Sequence, residues 1–240
     1  MEDDGFKLVT GKKAANMGFK KAPNGTFIRV DGSLEDIEKA MKLAKQRMSK
    51  SGLGKWLKTQ LEEHLEQSEH RKQSISTILL IGNGHFDRID QAGAHQLALF
   101  LEISEFFNAE VVFQEPACSD AELEWLRTHK NLKIREIEDT NLEIDENPDS
   151  LTLFAMIHGP HNLFQGFLDF NWEKLAKNNN LIAVCNDYGD MNWALSKFSE
   201  GNERINEFYE ISRICPFPAV YEPHNSAFSG TVVMFPVDKD

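Results

Sequence analysis

Only three cysteines occur in the chain, Cys118, Cys185 and Cys215. The set is odd, widely spaced and without a Cys-x-x-Cys pair, which argues against a disulfide framework and against a zinc site. Free thiols and no bound metal are the expectation. Long apolar runs are missing as well. None approaches the roughly 18 residues of a spanning helix, and the start Met-Glu-Asp-Asp-Gly has neither the basic nor the apolar region of a secretory signal. An intracellular protein without a membrane segment is expected. Basic charge is short too, with a net charge of -12. Residues 1–58 hold 13 Lys and Arg against 7 Asp and Glu, or +6, while the remainder holds 13 against 31, or -18. A body with that field repels nucleic acid, and the N-terminal lysines have no aromatic series beside them on which bases could stack. There is no Ser-His-Asp order, His-Glu-x-x-His helix or Walker loop.

What is present is organised around residues 77–116. Ile78 to Ile81 is a continuous apolar run, too short for a helix and followed by Gly82-Asn83-Gly84, as in strands buried on both faces of a parallel sheet. From Ala92 to Phe107 the apolar residues recur at helical spacing, and Glu110 to Gln114 returns to a β-branched run. This strand, helix, strand unit places a glycine turn at the carboxyl end of the sheet, where backbone N–H groups and a helix N-terminus can meet a ligand. Glu115 closes the second strand, where nucleotide-binding folds often hold a ribose hydroxyl. The third position of the dinucleotide fingerprint is Asp87 rather than glycine, so the motif by itself serves a tight turn as well as it serves a ligand.

The rest of the chain repeats the alternation. Residues 1–32, rich in Gly and Lys, read as a flexible basic segment, and residues 33–240 as one α/β domain with a helical N-terminal extension. Ser33 with Asp36, and Ser119 with Glu122, form capping-box patterns ahead of helices. A second helix runs from Lys55 to about Glu69. Further strands are expected at Leu132 to Ile137, Leu151 to Ile157 and Leu181 to Cys185, with an acidic solvated loop from Glu138 to Asp149. A closing antiparallel pair is expected at Ala219 to Tyr221 and Gly230 to Phe235. The expected fold is a Rossmann-like, three-layer, mostly parallel sheet with helices on both faces, preceded by two helices. At the level of fold alone it is analogous to class I methyltransferases.

Polar clusters follow the first, second, fourth and fifth strands on one rim of such a sheet. The ligand-binding candidates are Gly82, Asn83, Gly84, His85, Glu115, His158, Asn186 and Asp187. His158 suits an acid, a base, a hydrogen-bond donor or a haem ligand, or a histidine that bonds its own loop. His161 suits a cap for the helix that Pro160 begins, and Asn186 and Asp187 a ligand contact or a cap. Phe164, Phe167, Phe170 and Trp172, at helical spacing, read as core.

Several ordered elements carry a family resemblance. Ile81-Gly82-Asn83-Gly84-His85-Phe86, Gln96-Leu97-Ala98-Leu99, Glu115-Pro116, Met156-Ile157-His158-Gly159-Pro160, Asn171-Trp172 and Val184-Cys185-Asn186 resemble the motifs of the sensitivity-to-red-light-reduced domain family over residues 76–190. The chain departs from the family pattern at Asn83 for Leu, Glu115 for Asp, Ile157 for Pro and Gly159 for Cys. The resemblance implies a regulatory protein of the cytoplasm and nucleus, linked to circadian-clock input in plants or to regulation of haem biosynthesis in other eukaryotes. It brings no established reaction. Three readings stand: a regulatory protein whose crevice takes a small molecule, a nucleotide- or S-adenosylmethionine-dependent enzyme, and a scaffold protein with a degenerate crevice. S-adenosylmethionine, NAD and haem are the candidate cofactors.

Overall fold

A computed structural model of the chain describes residues 19–21, 23, 26–67, 73–135, 141–189, 201–218 and 220–237. Two short strands, β1 (Phe19–Lys21) and β2 (Phe27–Arg29), pair antiparallel on their own. Helices α1 (Leu34–Ser51) and α2 (Leu53–Gln67) follow. Then come β3 (Ser74–Ile81), α3 (Ala92–Phe107), β4 (Glu110–Gln114), α4 (Asp120–Arg127), β5 (Leu132–Ile134), β6 (Ser150–Met156), α5 (His161–Asn178) and β7 (Leu181–Asn186). Helix α6 (Glu203–Glu210) and strands β8 (Ser212–Pro216) and β9 (Thr231–Pro236) complete the order.

The local signals explain the element ends. Ser33 and Ser119 each accept from the N3 backbone N–H while the N3 carboxylate accepts from the cap backbone, so both capping boxes form. Gly52 ends α1 in the left-handed conformation, at φ 73°. Among the described residues no helix is long and apolar enough to cross a membrane.

Strands β3 to β9 form one seven-stranded sheet in the order β5-β4-β3-β6-β7-β9-β8, parallel except for β9, which runs against both neighbours. The α/β fold, the central position of the Ile78 and Leu151 strands and the closing antiparallel pair are therefore as the sequence implies. Alternate side chains of the central strands enter different cores. Ile78, Leu80, Leu153 and Ala155 pack with α1, α2 and α3, whereas Leu79, Ile81, Phe154 and Met156 pack with α5 and α6. Phe154 lies between Phe164 and Phe167, with ring centroids 5.1 and 4.3 Å away. Helices α1 and α2 bury Ile37, Met41, Met48, Leu57 and Leu61 in the first core, on the flank of the sheet. Of the four expected core aromatics Phe170 is exposed, and Trp172 lies half-buried with the Arg204 guanidinium 4.6 Å above its ring.

Several boundaries differ from the sequence reading, most by one or two residues, as in α2, which starts at Leu53 rather than Lys55. Strand β3 starts earlier, at Ser74, because Ser74 and Ile75 already pair with Ser150 and Leu151 although Ser74 and Ser76 interrupt the apolar run. The first strand of the antiparallel pair is Ser212–Pro216, not residues 219–221, of which Ala219 lies outside the described residues. An edge strand tolerates Ser212, Arg213 and a terminal Pro216, which hid it from an apolar-run criterion. The third strand ends at Ile134, with the described Arg135 already beyond it, and residues 136 and 137 of the expected strand lie outside the described residues. Residues 1–18 of the basic segment are likewise outside, but its end is tied down. Arg29 reaches the buried Asp87 carboxylate at 2.7 Å, and the Gly32 N–H donates to the same oxygen at 2.6 Å.

The acidic connection before β6 buries Leu142 and Ile144. Its backbone is satisfied by asparagine amides rather than by water alone. Asn171, fully buried, accepts from the Ile144 N–H at 3.0 Å and donates to the Leu142 and Phe167 carbonyls at 2.8 and 2.9 Å. Asn178 and Asn180 donate to the Glu146 and Asp145 carbonyls. Replacing Asn171 with Ala orphans a buried donor, the Ile144 N–H, and an acceptor, the Leu142 carbonyl, each loss costing about 1–3 kcal/mol in part relieved by relaxation. Asn171→Ala should lower the urea midpoint by an amount equivalent to about 2–4 kcal/mol, with fast hydrogen exchange at Ile144, whereas Asn178→Ala should cost under about 1 kcal/mol. Equal effects from the two would contradict this anchoring role.

Candidate functional site

The strand order reverses between β3 and β6, so the crevice of this sheet opens at their carboxyl ends. Loops after β3, β4, β6 and β7 emerge there. Because β9 is reversed and Asn186 pairs with Thr231, the 217–230 connection between β8 and β9 reaches the same rim.

Gly82 and Gly84 have φ 65° and 71°, which only glycine adopts without strain, and these two positions make the tight turn. The N–H groups of that turn point inward. Gly82 donates to the Gln114 carbonyl at 2.9 Å, Gly84 to Glu115 Oε2 at 2.6 Å, and Phe86 to Glu122 Oε1 at 2.6 Å. Glu115 is half-buried, and its other oxygen accepts from the Ala117 N–H at 2.8 Å. Glu122, fully buried, also accepts from the Ser119 N–H at 2.8 Å and from His85 Nδ1 at 2.9 Å. Asn83 is buried and donates to the Gly84 and Gly93 carbonyls, fastening the turn to the first residues of α3. The carboxylates and N–H groups that the sequence offers to a ligand thus bind each other. His85 Nε2 has no partner among the described residues, and its side chain is 24% exposed.

The second cluster lies after β6 and β7. His158 is exposed and sits at φ 58°, a conformation uncommon for a residue other than glycine. Two bonds hold it there: its N–H donates to Asn186 Oδ1 at 2.8 Å, and its ring Nε2–H donates to the Ser229 carbonyl at 2.7 Å. Asn186 Nδ2 donates back to the Gly159 carbonyl at 3.2 Å. Asp187 accepts from the Gly189 N–H at 2.9 Å, and its own N–H donates to the Gly230 carbonyl. His161 makes no side-chain cap. Pro160 is the cap residue, and the His161 ring meets Tyr188 edge-on at 5.6 Å, partial burial lowering its pKa. The eight candidates therefore gather in two groups on one rim, Gly82 to His85 with Glu115, and His158 with Asn186 and Asp187.

Sequence reasoning missed a third group. His95, on α3 and fully buried, donates from Nε2 to the Ile89 carbonyl and accepts the Tyr221 hydroxyl at Nδ1, both at 2.9 Å. Burial lowers its pKa to about 4, and pushes that of Tyr221 up to about 12. A histidine among apolar helix positions carries no signal of such a partner 126 residues away. Cys118, beside the first group, is pushed up to about 12 by burial and by the charges of Glu122 and Glu115, so its thiol stays protonated. Among the described residues no three His, Cys, Asp or Glu side chains gather as a metal set.

The model of the SRR1 domain matches residues 57–235. The chain belongs to the SRR1 domain family. This is the family whose motifs the sequence resembles, and the matched span takes in both rim clusters. No curated protein matches the chain. The SRR1 motifs acquire physical roles here. Gln96 donates to the Ala227 carbonyl at 2.8 Å, the Asn of Asn171-Trp172 anchors the acidic connection, and the glycine motif builds the turn. At Gly159 a Cβ would run into the Met156 side chain, so the family cysteine has no room beside this Met156 rotamer.

Glu115→Ala should lower stability by about 1–3 kcal/mol, because the Gly84 and Ala117 N–H groups lose their acceptor. A rim carboxylate reserved for a ligand would cost almost nothing, and an unchanged urea midpoint would restore that reading. His95 sets a pH dependence. Its folded pKa, near 4, lies below the ordinary 6.5, so its contribution is complete above about pH 6.5 and lost as pH falls toward 4. The loss is at most about 3 kcal/mol. His129 and His161, also lowered by burial, add to the same slope. Unfolding free energy should fall more steeply from pH 7 to 5 in the wild type than in His95→Gln, and parallel curves would refute the assignment.

Proposed function

We propose that this SRR1 family member is a regulatory protein of the cytoplasm or nucleus, with a crevice at the carboxyl ends of β3 and β6 that receives a small molecule. The observation that supports a regulatory rather than a catalytic role is the inward use of the rim's chemistry. Gly82, Gly84 and Phe86 N–H groups are bonded within the protein, Glu115 and Glu122 accept from backbone, and the Cys118 thiol is held protonated. A catalytic centre instead keeps a nucleophile or base directed at the reacting atoms. Among the described rim residues no activated nucleophile stands beside a base. Circadian-clock input and regulation of haem biosynthesis are the processes that the family resemblance suggests. Nucleic acid is not the partner on this reading, since the net charge of -12 opposes it.

One observation favours the second reading, a nucleotide- or S-adenosylmethionine-dependent enzyme. The buried Glu122 holds His85 Nδ1, so Nε2 is left as a proton acceptor on the glycine turn. Calorimetry and thermal shift with S-adenosylmethionine, NAD, ATP and haem separate the two. A ligand at 100 times its Kd raises stability by about 2.7 kcal/mol. Binding of one of them without turnover, weakened in His85→Gln, is the expected result for a regulatory crevice. Turnover that disappears in His85→Gln would establish the enzyme, and no shift with any of the four would remove both nucleotide and haem from consideration.

A further inference from the structure

A groove runs along α1, lined by none of the rim candidates considered above. One wall is the outward face of that helix, where Lys39, Leu43, Arg47 and Lys50 recur at three- and four-residue spacing. The other wall is made by residues 87–90 and by residues 220–226 of the β8–β9 connection. Two cavities of about 750 and 480 Å³ meet at Arg47, Glu222 and Pro223, within the size range of small-molecule sites.

The loop wall is fixed before any ligand arrives. The Tyr221 hydroxyl donates to His95, His95 to the Ile89 carbonyl and His224 Nε2 to the Asp90 carbonyl, each at 2.9 Å, and Gln96 holds the Ala227 carbonyl at 2.8 Å. A loop tied at three points, to residues that are themselves held, loses little further entropy on binding. The bond to Asp90 also fixes the tautomer, leaving His224 Nδ1 beside Ser226 Oγ at 3.4 Å.

Arg47 lies where the two cavities meet. It is half-buried, yet among the described residues its guanidinium makes no hydrogen bond and no ion pair. Lys58, Lys133, Lys174 and Arg204 each pair with a carboxylate. Four carboxylates line the groove, Asp36, Asp87, Asp90 and Glu222; the two that share a cavity with Arg47, Asp90 and Glu222, are exposed to water and leave it unpaired. Its positive charge acts instead on the buried His95, whose protonation it disfavours. An arginine presents five N–H donors in a planar fork that fits phosphate and carboxylate oxygens. Lys50 and Ser51 line the larger cavity on one side of it, and Asn225 and Ser226 the smaller on the other.

We propose that this groove binds a small phosphorylated molecule, with its phosphate on Arg47 and Lys50 and the remainder of the molecule along the 220–226 wall. Arg47 and Lys50 together attract a doubly charged phosphate more strongly than a single carboxylate, and Glu222 opposes any anion. The site uses none of the rim candidates, although its wall belongs to the same 217–230 connection.

The test is isothermal titration of inorganic phosphate, pyrophosphate and a hexose phosphate at constant ionic strength, with acetate as the control anion. Wild-type protein should bind pyrophosphate or the hexose phosphate, Arg47→Gln should bind at least tenfold more weakly with an unchanged urea midpoint, and Glu222→Gln should bind more tightly. Tyr221→Phe, which cuts the tie to His95, should weaken binding without removing a ligand contact. No heat with any phosphate at 10 mM would overturn the proposal, where roughly that concentration corresponds to the weakest specific affinities. Binding retained in Arg47→Gln, or equal binding of acetate, would overturn it too. Loss of phosphate binding in His85→Gln with Arg47→Gln unaffected would move the ligand to the rim, refuting the groove while sparing the crevice.

Discussion

The parallel pairing of β3 with β6 is the constraint from which the rest follows. Both strands are buried on two faces, so every backbone polar group between them must find its partner in the ladder, and every connection must cross over the sheet. Crossovers place helices on both faces and send each strand's carboxyl end to one rim. The reversed β9 adds the 217–230 connection to that rim, and through it the wall against which α1 forms its groove. Neither the rim nor the groove would exist with an antiparallel centre.

At the rim, polar residues serve as fasteners. Glu122 joins the glycine turn to α4, Glu115 joins it to the end of β4, and Asn186 with His158 joins the loops after β6 and β7 to residue 229. A buried carboxylate that accepts several backbone N–H groups is well compensated for its loss of water, which is why such groups persist in an interior. The same logic runs through Asn171, whose amide replaces the water that the Leu142 and Ile144 backbone would otherwise need. Family motifs that read as ligand contacts are, in good part, the chemistry by which loops of this fold keep their shape.

Groups not engaged in this way stand out for that reason. His85 Nε2 on the glycine turn, whose ring Glu122 orients, and the Arg47 guanidinium in the α1 groove are both partly accessible, and neither is satisfied by its neighbours among the described residues. An unsatisfied polar group costs stability unless water or a ligand completes it. The two lie in different places and fit different chemistry, a proton acceptor in one case and an oxyanion receptor in the other.

Periodicity and cap chemistry were enough to read the alternation of strands and helices, both capping boxes, the span Ala92–Phe107 and the centrality of Ile78 and Leu151, because these depend on residues within a few positions of one another. The candidate residues' common rim was legible for the same reason, once parallel strands were inferred. What each of them does was decided by tertiary structure. Gly84 meets Glu115 across 31 residues, His85 meets Glu122 across 37, His158 meets Ser229 across 71 and His95 meets Tyr221 across 126. Local sequence carries no record of such partners, and a hydrogen bond is made or lost over a few tenths of an ångström that only the packed chain determines.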